Sequence, residues 1–203
     1  MKIICIGLNY KNHLAELDRP QPSEPVVFMK PDSAIIKKNK PFFLPDFSKN
    51  IQYETEIVVK INKLGKGISK KFAYRYYDEI TVGIDVTARD IQQQFSAAGL
   101  PWELSKGFDG SAALGEFIPL QEAGGIDNIN FHLDINGKRA QTGNSSDMVF
   151  SVDEIVEFVS RYFTLKTGDL IFTGTPSGVG PMRINDRFEG YIGERKVIDF
   201  RIK

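Results

Sequence analysis

A mixed α+β fold, mostly β, is what three features of this 203-residue chain predict. Short runs rich in β-branched and aromatic residues (IICIG, VVFMK, EIVVK, TVGID, FHLDI, LIFTGT) recur along its length, bounded by Gly, Pro, Asn or Asp. Asn136-Gly137, between the runs Phe131–Ile135 and Lys138–Gln141, is the strongest short hairpin signal a sequence carries. Helical caps joined to amphipathic spacing occur mainly in ARDIQQQFSAAG and in the stretch from Ser151 to about Phe163. The length suits one domain over residues 1–203, with a sizeable core.

Taken in order, Lys2–Gly7 is a strand, and GLNYKNHLAEL turns from it into a short helix. The Pro-rich segment that follows breaks regular structure until VVFMK, a strand closed by Pro31, with further short strands at Ala34–Ile36 and Phe42–Leu44. Tyr53–Lys60 reads as one strand, followed by a hairpin-like turn through Asn62–Gly67 and helical character over Phe72–Glu79. Ile80–Val86 is a buried strand that delivers Asp85 near its end. Thr87 is placed to cap the helix after it, and Gly99 to close that helix. GLPWELSKGFDG, with the only Trp, reads as a loop that either covers a site or carries a plain surface Lys106. After the Asn136-Gly137 hairpin comes the loop QTGNSSD. Ser151 and Glu154 then form a capping box. The strand LIFTGT runs into GTPSGVGP, which is either a tight turn or a row of backbone N–H groups for an anion.

Composition narrows the function. Lys+Arg and Asp+Glu balance at 26 each, so no global field favours nucleic acid or an acidic membrane surface. The single Cys5, inside an apolar run, excludes a disulfide framework or a thiolate metal site within one chain. The short apolar run at the N-terminus is too little for a signal peptide, and no run approaches membrane length, so a cytoplasmic enzyme or binding protein is expected. Fifteen Phe residues point to aromatic packing in a β-rich core or at an interface.

Glu54 and Glu56 are the first candidates for chemistry. Two apart on a strand, they share a face roughly 7 Å from one another at about 3.3 Å per residue. On a wet face they are ordinary surface residues. On a buried face they need a counter-charge, for which a divalent cation is the natural choice. Asp85 is a third carboxylate, with helix capping as its alternative role. His13 and Glu16, three apart, share a helix face and can hydrogen-bond, either as a solvated pair or as a dyad at a strand end. His132 reads as a strand-face residue.

In this order and spacing, GLNYKNHLAEL, EPVVFMKP, the YETE strand, VGIDVTARDIQ, GLPWELSKGFDG, NGKRAQTGNSSDMVFS and LKTGDLIFTGTPSGVGP resemble the fumarylacetoacetate hydrolase family over nearly the whole chain. Within it, the small single-domain acylpyruvate hydrolase and oxaloacetate decarboxylase group is most similar, together with 2-hydroxyhepta-2,4-diene-1,7-dioate isomerases. The resemblance implies a mixed β-sheet roll and a homodimer. It implies a Mg²⁺ or Mn²⁺ site with ligands on Glu54, Glu56 and Asp85, a lid dyad on His13 and Glu16, and a substrate-side lysine on Lys106. It implies substrate contacts on Gln92 and Thr175, and Arg89 as either a salt-bridge or a catalytic residue. The implied activity is cleavage of C–C bonds in acylpyruvate-type 2-oxo acids through an enolate, with oxaloacetate decarboxylation on the same enolate. Diene isomerisation or oxaloacetate keto–enol tautomerisation is the alternative, and a non-catalytic 2-oxo acid- and metal-binding protein the second. One departure stands out: many relatives carry Arg or Lys where this chain has Leu8, which implies a shifted substrate preference. No Asp stands between Gly7 and Tyr10, so no fourth carboxylate ligand is expected.

Overall fold

The computed structural model describes residues 1–36 and 40–203. The first half contributes strands β1 (Ile3–Gly7), β2 (Val26–Lys30), β3 (Ile35–Ile36), β4 (Ile51–Tyr53), β5 (Thr55–Ile61), β6 (Tyr77–Asp85) and β7 (Thr87–Ala88). The second contributes β8 (Ala112–Leu114), β9 (Ile118–Pro119), β10 (Asn130–Ile135), β11 (Lys138–Asn144), β12 (Leu170–Phe172), β13 (Gly180–Pro181), β14 (Arg187–Ile192) and β15 (Arg195–Arg201). Helices are few: α1 (Lys11–Glu16), α2 (Lys70–Ala73), α3 (Arg89–Ala98), α4 (Glu103–Lys106) and α5 (Val152–Tyr162).

A mixed sheet in the order β2-β1-β12-β5-β6-β8-β3, with β9 also on β6, forms the body. Only β1–β12 and β3–β8 pair in parallel in this sheet. A second, antiparallel sheet, β11-β10-β14-β15, packs on one face of it, and β13-β4-β7 form a small third sheet. The layers meet closely: a Cβ built on Gly190 of β14 would lie 3.0 Å from Val82 Cγ1 of β6. Alternation along the strands sorts the core. Ile4, Ile57, Val59, Val82 and Ile84 join Phe131, Leu133, Phe188 and Ile198 in the large cluster between the sheets. Ile3, Cys5, Val58 and Phe172 face the other way, in a smaller cluster with Phe28 packed against it. Lys30, Glu56 and Asp85 share this second face by strand parity.

The main sheet is rolled. β2 and β6 are four places apart in strand order, which in a flat sheet is roughly 19 Å at about 4.8 Å per strand. Yet Lys30 of β2 reaches Asp85 of β6. The mixed β-roll expected above is the fold observed.

Several elements differ in detail from the sequence expectation. Tyr53–Lys60 is two strands with Glu54 between them, because β4 leaves the main sheet to pair with β13 and β7. Asn62–Gly67 is not a tight hairpin: β5 and β6 are antiparallel neighbours, but the whole stretch from Asn62 to Tyr76, including α2, joins them. Helical character stops at Ala73, and Tyr77–Glu79 belongs to β6, held by pairing with β5 and by the Tyr77 hydroxyl on Asp153 Oδ1 (2.7 Å). Thr87 does not cap α3. It lies in β7, and its hydroxyl donates to the Asp85 carbonyl. Ala34 ends a 3-10 turn, leaving Ile35–Ile36 as the strand, and Phe42 makes one isolated bridge to Ile202. QTGN continues β11, so only Ser145–Asp147 turn. LIFTGT is a strand only as far as Phe172. The expected caps are present at Gly99 (φ +66°) and at Ser151/Glu154. His132 stacks on Tyr191, on a strand face. Among the described residues no helix is long and apolar enough to cross a membrane.

Candidate metal centre and active site

Antiparallel pairing sets the start of β5 beside the end of β6, with Glu56 opposite Gly83 and the Asp85 N–H donating to the Glu54 carbonyl at 2.8 Å. One carboxylate oxygen from each of Glu54, Glu56 and Asp85 therefore lies within 4.8 Å of the others. All three residues are buried, so the solvated-face reading does not hold.

The protein itself supplies the counter-charge. The Lys106 ammonium donates to Glu54 Oε2 (2.8 Å), Asp85 Oδ2 (2.8 Å) and the Thr87 hydroxyl (2.7 Å), which uses all three of its N–H bonds. Arg89 pairs with Glu54 Oε1 through Nη2, while its Nε and Nη1 hold Gln52 and Gln92. Lys30 Nζ stands 2.7 Å from Asp85 Oδ1 and also donates to the Lys106 carbonyl. Three cations thus pair with Glu54 and Asp85, whereas Glu56, among the described residues, accepts only from the Gly174 N–H. A counter-charge is therefore already present for Glu54, and Glu56 is the member of the buried pair left without one.

The carboxylates are not equivalent. Burial pushes Glu54 up, but Lys106 and Arg89 more than reverse this and hold it well below the usual carboxylate range. Burial, then Asp85 and Glu54, push Glu56 well up, against the opposing hydrogen bond from the Gly174 N–H (2.7 Å). Burial pulls Lys106 down, yet Asp85 and Glu54 leave it above its ordinary value, so it stays charged. Asp85 Oδ1 is buried and has an ion contact to Lys30 without hydrogen-bond geometry, so it keeps lone pairs for a cation. Three convergent hard oxygen donors, with no thiolate or imidazole among them, fit a divalent metal of the Mg²⁺ or Mn²⁺ type.

Gly174 is required for this arrangement. Its φ of +102° suits glycine, and a Cβ there would come within 2.8 Å of Asn9 Cβ. Asn9 in turn bridges the Thr173 carbonyl and both backbone groups of Phe150. The Gly-rich run does present N–H groups to anions, but the anions are the protein's own carboxylates: Glu56 for Gly174, and Glu16 for Gly178 at 3.2 Å.

A cavity of about 550 Å³ opens over the cluster. His13, Arg89, Gln92, Lys106 and Thr175 line it together with Glu54 and Glu56. Buried His13 shares a 2.9 Å contact between its Nδ1 and Glu16 Oε2, and Glu16 is tied through Gly178 to the glycine-rich loop. The Gln92 carbonyl oxygen is taken by Arg89, which orients its amide N–H₂ as the group left for a ligand. The Thr175 hydroxyl is already engaged by the Thr55 carbonyl and Gln141. Lys106 is not a surface lysine. It closes the short helix α4 and is pinned by two carboxylates and Thr87.

Sequence reasoning missed two residues here. Lys30 shows only as a lysine ending an apolar strand before a proline, and that oddity was its one signal. Gln141 lies buried on β11, where its Oε1 accepts from the Thr55 N–H at 3.0 Å and its Nε2 donates to Thr175 and the Pro176 carbonyl. Nothing in its local sequence marks it.

Two members of a buried acidic triad lining a pocket this size, beside a His–Glu pair, suit an enzyme that works on a small molecule with a divalent metal. The chain belongs to the fumarylacetoacetate hydrolase family: residues 2–203 match the family described as fumarylacetoacetate (FAA) hydrolase, C-terminal. It is 36% identical to the mitochondrial oxaloacetate tautomerase FAHD1 of Bos taurus over 201 residues, covering 99% of this chain and 91% of that one. Among solved structures it is similar to fumarylpyruvate hydrolase of Pseudomonas aeruginosa in complex with Mn²⁺ and pyruvate. The TM-score is 0.93 and the identity 33%, over 100% of this chain and 89% of that one. It is also similar to 2-hydroxyhepta-2,4-diene-1,7-dioate isomerase of Mycobacterium marinum, with a TM-score of 0.86 and 32% identity over 99% and 73% of the two chains.

Proposed function

We propose that this single-domain chain is a divalent-metal-dependent hydrolase that cleaves the C–C bond of acylpyruvate-type 2-oxo acids, with oxaloacetate decarboxylation as a related reaction. The observation that carries this reading is the buried His13, paired with Glu16, in the wall of the same cavity as Glu54, Glu56 and Lys106. When bound at Glu54, Glu56 and Asp85, Mg²⁺ or Mn²⁺ supplies Lewis-acid stabilisation of the charge that develops on a 2-oxo acid. Glu16 accepts from His13 Nδ1–H, which leaves Nε2 unprotonated as the base that takes a proton from water. The attacked distal carbonyl gains a negative charge, and the Gln92 amide is the donor best placed to hold it. Lys106 and Arg89 keep Glu54 ionised, and Lys106 holds Glu54 and Asp85 in position. Thr175, fixed by Gln141, shapes the wall on which the substrate rests.

A second reading, oxaloacetate tautomerase, has a specific observation in its favour: the bovine relative carries that name. It uses the same acidic site, with proton transfer at C3 and no attacking water. The Pseudomonas enzyme's structure is a complex with Mn²⁺ and pyruvate, which supports a hard cation here. A homodimer is proposed from the family resemblance and from exposed apolar residues such as Phe43 and Leu104, and sedimentation tests it. A cytoplasmic location is proposed from the lone buried Cys5, whereas the bovine relative is named mitochondrial; cell fractionation decides between them.

A proton NMR time course with Mg²⁺, a chelator control, and acetylpyruvate and oxaloacetate offered separately tests the proposal. Wild-type protein is expected to give acetate and pyruvate from the first substrate. His13→Ala is expected to slow that hydrolysis by roughly 10²–10⁴-fold, the usual worth of general base catalysis, and to affect oxaloacetate chemistry far less. Equal losses on both substrates would remove the water-activating dyad. Tautomerisation without cleavage would favour the second reading.

A further inference from the structure

The cavity extends well beyond the acidic cluster, and one wall of its far part is apolar, while α3 faces it with Gln92, Gln93, Ser96 and Ala97. Helix α3 starts at the cluster with Arg89 and lines the cavity as far as Ala97, about 12 Å further at ~1.5 Å per residue. A four-carbon acid, whose chain advances roughly 1.3 Å per bond, covers only about a third of that length. Facing α3, an aromatic wall leads away from Lys106. The Phe28 ring lies 5.1 Å from Lys106 Nζ, and Trp102 meets Phe28 edge-on at 5.8 Å. Trp102 Cζ3 would be 3.5 Å from a Cβ on Gly7, the residue before Leu8. Leu17, four residues after His13 and so one helical turn beyond it on the same face, completes this part.

Leu8 itself is held at φ +58°, a conformation leucine rarely adopts. Such strain persists where the surroundings impose it, often at ligand clamps. In this outer part the only cation lining the cavity among the described residues is Arg19, exposed at the mouth. A carboxylate set against Leu8, Leu17 and Trp102 would give up part of its water to a wall that offers it no partner.

We infer that Leu8, Leu17, Phe28 and Trp102 form a subsite for an uncharged, apolar acyl tail, and that the enzyme selects 2-oxo acids bearing such a tail over those ending in a second carboxylate. The inference rests on the reading of a 2-oxo acid at the acidic cluster. It makes Leu8 a specificity-determining residue for that reaction.

The test is kcat/KM, with Mg²⁺, for a series of 2,4-dioxo acids with methyl, propyl and pentyl acyl tails, and for a tail of propyl length that ends in a carboxylate. The wild-type enzyme is expected to gain about fourfold per added methylene until the tail reaches Ala97, the worth of burying each one. It is expected to take the carboxylate-ended tail at least tenfold less well than its apolar counterpart. Leu8→Arg, which carries the same backbone strain, is expected to reverse that preference. Leu8→Ala is expected to lose the apolar gain without favouring the carboxylate. A flat series, or a preference for the carboxylate-ended tail that disappears in Arg19→Ala, overturns the subsite and leaves the proposed reaction standing. Absence of metal-dependent turnover with every member overturns the proposed reaction and the subsite with it.

Discussion

Asp85 between Lys30 and Lys106, and Asp199 between Arg187 and Lys196, are the same arrangement in opposite surroundings. The Asp85 side chain is 0% exposed and its two lysines are 0% and 2% exposed. Asp199 is 36% exposed, beside Arg187 at 41% and Lys196 at 40%. At the surface, water screens the pairs and competes for them, so they contribute little. In the rolled interior each charge has lost its water, and the set is tolerable only because every member has partners. The difference teaches that the buried set is there to fix acidic side chains in place beside a cavity. Stability alone would be served as well by apolar side chains.

Breaking the buried set should have the largest effect. Lys30→Met leaves Asp85 without one of its counter-charges and is expected to cost about 3–5 kcal/mol of folding stability, the usual penalty for orphaning a buried charge. Urea denaturation measures it, and a loss below ~1 kcal/mol would mean that water reaches Asp85. Glu56→Gln is nearly the same shape and removes a ligand charge while keeping an acceptor for the Gly174 N–H. It is expected to weaken Mn²⁺ binding by more than the roughly 10–100-fold seen for residues one shell further out. Calorimetric titration reads this directly, and unchanged affinity would remove Glu56 from the ligand set.

The smallest effect belongs to the surface. The hydrogen bond from Arg187 holds the Asp199 carboxyl down at about 2, against about 3.9 unfolded. Because the folded value is the lower one, its stabilisation is fully present above about pH 4 and is lost as pH falls toward about 2. Asp199→Asn is therefore expected to cost less than ~1 kcal/mol at pH 7, and to remove that share of the acid sensitivity in this window. A neutral-pH loss as large as that of Lys30→Met would erase the contrast between the two sets.

Much of the site was legible. Glu54 and Glu56 announce themselves by strand alternation, Asp85 by ending an apolar strand, and His13 with Glu16 by helical spacing, because each is a local pattern. Lys30 and Gln141 were not legible, since their partners lie far along the chain, at Asp85 and at Thr55 and Thr175. Lys106 was visible as a residue but not as a buried one, because nothing local removes a lysine from water. Tyr77–Glu79 was misread as helix because its aromatic and charged residues suit either state until β5 offers its edge.

The sequence alone determined most of the strands, the Asn136-Gly137 hairpin, the caps at Gly99 and Ser151 and the kind of donors available, since these depend on backbone sterics and neighbours within a few residues. Only the tertiary structure decided that the sheet rolls. That curvature brings β2 to β6, sets Lys30 and Lys106 on Asp85, and opens the arm of the cavity between α3 and Trp102. Charge pairing and cavity shape depend on groups that meet in space from distant parts of the chain, and no local pattern records where they meet.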